Sequence, residues 1–125
     1  MIDVKELRIG NYVYPRNDSG KESQLGTVSA VYDRLVCVNG NHSPYDYHLL
    51  EPVQITENIL SKCKFVKREL DDMVVYYNPP MELDAYFRLN RVGYDVEVKY
   101  LHQLQNLFFD LTGKELEVKF LSLIH

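Results

Sequence analysis

Apolar and polar positions alternate in short runs through the first part of the chain. Asn11 to Tyr14, Gly26 to Tyr32 and Leu35 to Val38 each read as a strand with side chains facing alternately in and out. Tyr45 to Leu49 has the same alternation and predicts a fourth strand, stopped ahead of Pro52. Asp18-Ser19-Gly20, Asp33-Arg34 and Asn39-Gly40-Asn41 supply turns between them. Short sequential strands must curl or pack on another layer to hide their edges. The expectation is a small SH3-like β-barrel over residues 1–54, opened by Leu7-Arg8-Ile9-Gly10-Asn11-Tyr12-Val13.

The pattern then changes period. Thr56 is placed to cap a helix running to about Cys63, with Ile55 and Leu60 as a staple and Ile59, Leu60 and Cys63 as its apolar stripe. Val66 to Leu70 and Met73 to Tyr77 predict a hairpin around Asp71-Asp72, and Asn78-Pro79-Pro80 is expected to interrupt the sheet. Leu83 to Leu89 and Tyr94 to Val98 predict a second hairpin around Asn90 to Gly93. A long helix should run from about Lys99 to Thr112, stopped by Gly113, and a last strand from Leu116 to Leu123. An α+β fold follows, with an antiparallel sheet and two helices over 55–125. The boundary between halves, near Glu51 to Ile55, is too short for a flexible linker. A single compact unit sharing one core is expected.

The long helix, YLHQLQNLFFDLTGKEL with its continuation, divides into two faces. Tyr100, Leu101, Leu104, Leu107, Phe108 and Leu111 make a core stripe. His102, Gln105, Asn106 and Phe109 are neighbours on the remaining face, where Lys and Glu would be usual. They form either a second packing face, with the amides tying down loop backbone, or a binding face with Phe109 as apolar anchor.

Composition narrows the function classes. The chain is 46% hydrophobic and 26% charged, which is globular and not disordered. The ten tyrosines, beside five phenylalanines and no tryptophan, suit strands first and binding surfaces second. A net charge of −4 argues against a general phosphate-backbone binder. The densest basic cluster is Lys62, Lys64, Lys67 and Arg68, and Glu69, Asp71 and Asp72 follow it at once. Cys37 and Cys63 form no CxxC and read as buried free thiols. The opening MIDVKELRIG lacks a signal peptide's apolar run, and no segment reaches the ~18 apolar residues of a membrane span. A cytoplasmic protein with no membrane partner is expected.

Chemistry has few candidates. His42 and His48, with Asp46 between them, lack a third ligand at a recognised metal spacing. No GxSxG or phosphate-binding glycine loop is present. Asp71-Asp72 and Asp95/Glu97 read as solvated turn and strand residues. No catalytic residue, metal or cofactor is assigned.

The segments Glu6 to Val13, Leu50 to Glu57 and YLHQLQNLFFDLTGKEL resemble, in the same order, a family of short proteins seen in gut Bacteroidota and in their phages and mobile elements. One departure is Lys64, where that family often carries glycine ahead of the phenylalanine. The resemblance implies a phage or mobile-element context and carries over no activity.

Three functions are in view. The first is a non-enzymatic accessory module binding an unknown protein partner through the barrel loops or through His102, Gln105, Asn106 and Phe109. The second is a nucleic-acid-associated module using the SH3-like barrel and Lys62, Lys64, Lys67 and Arg68. The third binds or sequesters a small ligand in a tyrosine-lined pocket. A homo-oligomer through an edge strand at Leu116 to Leu123 is a further expectation.

Overall fold

The computed structural model describes residues 2–16, 25–91 and 94–119. The fold is α+β, with two antiparallel five-stranded sheets and two α-helices. The chain divides into two units: residues 1–54 with 100–106, and residues 55–99 with 107–125.

In the first unit, a 3-10 helix at Val4–Glu6 precedes β1 (Tyr12–Pro15), β2 (Gly26–Val31), β3 (Leu35–Val38), β4 (Tyr45–Asp46) and β5 (Leu50–Pro52). Their order is β4-β3-β2-β1-β5, so β1 pairs with both β2 and β5. Asn39 and Gly40 both have positive φ, and Asn41 N–H bonds the Val38 carbonyl to close the turn after β3. Gly26 is required for space. A Cβ there would stand 2.5 Å from Val38 Cγ1. Ile2, Leu7, Val13, Val28, Val36, Val38 and Leu50 form the core, with Val4, Val31 and Tyr45 against it.

Two expectations for this unit change. The predicted strand at Tyr45 to Leu49 stops at Asp46, and Tyr47–Leu49 is a 3-10 helix. Asp46 causes the break: its carboxylate accepts from the His48 N–H, a side-chain bond that competes with strand pairing. The predicted barrel is not closed: no β4–β5 ladder completes it among the described residues.

The second unit holds α1 (Glu57–Lys62) and β6 (Val66–Leu70), β7 (Met73–Asn78), β8 (Met81–Asp84), β9 (Arg88–Arg91) and β10 (Tyr94–Glu97) in the order β10-β9-β8-β7-β6. Thr56 caps α1 by accepting the Ile59 N–H at 3.1 Å. The helix ends in a Schellman motif: Phe65 N–H bonds the Leu60 carbonyl and Lys64 N–H that of Ser61, with Lys64 at φ 65°. Leu60, Cys63, Phe65, Tyr76, Met81, Leu83 and Leu89 are buried in this unit.

Here too local side chains alter the pattern. Pro79-Pro80 does not interrupt the sheet. It forms the turn between β7 and β8, where Asn78 pairs with Met81 across a cis peptide bond. The predicted strand Leu83 to Leu89 is split, because Asp84 accepts from the Tyr86 and Arg88 N–H groups at 2.9 and 3.0 Å and folds the chain back. The predicted turn Asn90 to Gly93 lies partly outside the described residues.

The second α-helix, α2, is Leu101–Thr112, and Gly113 follows it with φ 74°. Gln103 accepts the Tyr100 N–H at its start, half of a capping box. Leu101, Leu104 and Phe108 of the apolar stripe are buried. The predicted last strand does not form over Leu116 to Lys119, and its remainder lies outside the described residues. No helix among the described residues is long and apolar enough to cross a membrane.

Candidate functional site

The polar face of α2 is used within the first unit. The segment it meets, Glu6 to Tyr12, folds tightly. Asn11 Oδ1 accepts the Arg8 N–H at 2.7 Å and Asn11 N–H bonds the Arg8 carbonyl, while Gly10, at φ 97°, turns its own N–H to Val28. Such a loop leaves peptide groups facing away from any strand.

Gln105 and Asn106 take those groups. Gln105 Nε2 donates to the Gly10 carbonyl at 3.0 Å and Oε1 accepts the Tyr12 N–H at 3.0 Å. Asn106 Nδ2 donates to the Glu6 carbonyl at 2.6 Å, and its Oδ1 accepts from Asn11 Nδ2 at 2.9 Å and Arg8 Nε at 2.8 Å. An amide has a donor and an acceptor on one rigid plane, so it stands in for a strand's peptide group. Lys only donates and ionised Glu only accepts.

His102 is 1% exposed. Its ring stacks on Tyr100 at 5.8 Å, and Nε2 lies 3.4 Å from Glu6 Oε2. Burial pushes its pKa below the ordinary value, and the Glu6 carboxylate opposes this only in part. Phe109 is 38% exposed. As a surface for a partner the stripe therefore offers Phe109, whereas His102 and Gln105 lie inside.

The basic cluster is dispersed among acids. Lys67 on β6 pairs with Glu57 at 2.9 Å and with Glu69 at 3.7 Å, and Lys64 pairs with Glu117. Arg68 lies over the Tyr77 ring at 5.1 Å, and Lys62 is half-buried. Asp46 and His48 form a close pair at 2.7 Å, and the His48 hydrogen bond draws the Asp46 carboxyl below its usual range. Both cysteines are buried free thiols, and burial pushes Cys63 up to about 12.

A feature the sequence reading missed is an open pocket of about 470 Å³ in the first unit, lined by Ile2, Asp3, Val4, Asp33, Arg34 and Tyr47. Its walls are held by hydrogen bonds. Asp3 caps the first 3-10 helix through the Lys5 N–H at 3.0 Å, and Tyr47 N–H bonds the Arg34 carbonyl at 3.0 Å. Tyr32 and Leu35, either side of Asp33-Arg34, are 59% and 40% exposed. The available signal was a pair of aspartates, Asp3 and Asp46, each one residue ahead of a 3-10 turn.

No protein-family model, curated protein or solved structure is found to match this chain.

Proposed function

We propose that the protein is a non-enzymatic accessory module that binds another protein, in a phage or mobile-element context. The observation that carries the reading is the exposed pair Tyr32 and Leu35 beside an open pocket. An aromatic and an aliphatic side chain left in water next to a concavity is the arrangement that partner surfaces use for anchors. The finer reading of the first unit is a partly open SH3-like barrel. It is supported by a meander whose first strand pairs with the second and the last, and by the 3-10 turn between β4 and β5. The nucleic-acid alternative draws less support, since acids engage Lys64 and Lys67.

The test is affinity capture from host lysate with the full chain, its Tyr32→Ser/Leu35→Ser variant and its Phe109→Ala variant. A specific protein retained by the wild type and lost with either variant supports the module. Failure to retain any protein, with folding intact, removes it.

A further inference from the structure

The pocket in the first unit combines features that select for one kind of occupant. Its floor is apolar: Ile2 belongs to the unit's core and Val4 packs against it. Its rim carries two carboxylates, Asp3 and Asp33, and one guanidinium, Arg34. These charges do not balance. Among the described residues no hydrogen bond or ion pair engages Asp33. Asp3 uses one oxygen on the Lys5 N–H. The Arg34 side chain likewise makes no hydrogen bond or ion pair among the described residues, so two carboxylates stand against one guanidinium. The rim thus keeps an excess of negative charge, and Tyr47 adds an aromatic wall.

We propose that this pocket docks a peptide segment of the partner protein that carries a lysine or arginine beside an aliphatic residue. The aliphatic group meets Ile2 and Val4, and the cation meets Asp33 and Asp3. The inference rests on the protein-binding reading above. A phosphate-bearing ligand fits poorly, because the same carboxylates repel it. The pocket volume falls in the range that concave sites occupy, and a backbone bond from Tyr47 N–H to the Arg34 carbonyl ties two of its walls together.

The probes are three capped hexapeptides, alternating lysine–isoleucine, glutamate–isoleucine and lysine–serine, titrated into the full chain and followed by amide NMR shifts at low salt. The lysine–isoleucine peptide should move the amides of Asp3, Val4, Asp33, Arg34 and Tyr47, and each of the others should bind at least about tenfold more weakly. Asp33→Asn should weaken binding by about threefold to tenfold, and raised salt should do the same. Equal binding of the lysine and glutamate peptides, shifts centred elsewhere, or no shifts at millimolar peptide would each overturn the proposal. Its failure is separable from that of the wider reading. A partner captured equally by wild type and Asp33→Lys overturns the pocket but leaves a binding module.

Discussion

Asn106 donates from its side-chain amide to the backbone carbonyl of Glu6 at 2.6 Å, across a sequence separation of 100 residues. With Gln105 it gives the opening loop of the first unit the partners that a neighbouring strand would otherwise supply. The polar stripe on α2 is thereby a fold element as well as a candidate surface.

This arrangement makes Gln105 costly to lose. Gln105→Leu keeps the bulk but leaves the Gly10 carbonyl and the Tyr12 N–H without their amide partner. A fully buried group left unpaired costs about 1–3 kcal/mol, and these two are partly buried, which sets that range as the upper bound for each. Urea denaturation should show a loss of about 1–3 kcal/mol for the pair together, and a smaller loss for Phe109→Ala. Equal losses would contradict the loop-clamp role.

His102 predicts a pH dependence. Burial lowers its pKa in the folded chain, whereas in the unfolded chain it titrates near the ordinary histidine value of 6.5. The unfolded state therefore binds the proton more readily. The contribution to stability is complete above pH 6.5, declines as pH falls through that value, and levels off below the folded pKa. His102→Gln should flatten this part of the curve of urea midpoint against pH. An unchanged curve would assign the dependence elsewhere.

The legible parts of the fold are those whose signal is local. Thr56, spaced three residues from Ile59, carries its own hydrogen-bond geometry, and Gly113 carries its own backbone preference; both lie where the sequence put them. The hairpin at Asp71-Asp72 is also set by adjacent residues. Two of the misread points are places where an aspartate turns its carboxylate onto the backbone. Asp46 and Asp84 sit inside alternating runs, so periodicity alone extends the strand through them. The candidate site was half legible. The unusual polar face of α2 marked Gln105 and Asn106, but their partners are too distant along the chain for any local pattern to name. The pocket was not legible, because it joins three separate turns.

Gly26 offers a packing test. Gly26→Ala places a methyl against Val38, which is buried, and overpacking of this kind costs about 1–3 kcal/mol. Adding Val38→Ala should make the alanine at 26 less harmful than it is alone, a negative coupling that a double-mutant cycle measures. Simple additivity would place the clash on the Asn39 side chain, whose Nδ2 stands 3.0 Å from the same Cβ, or in the backbone of β2.

Lys64 offers a test at the end of α1. It occupies the C′ site of α1 at φ 65°, a conformation that costs a residue with a Cβ roughly 1–2 kcal/mol. Against this stands its ion pair with Glu117, in which both side chains are more than half exposed. An exposed pair is screened by solvent and contributes little. The backbone effect should win, and Lys64→Gly should raise the thermal midpoint. Lys64→Ala separates the two effects: it loses the ion pair but keeps the strained backbone, so it should fall at or below wild type. If glycine and alanine behave alike, the ion pair governs this helix end and the strain argument is wrong.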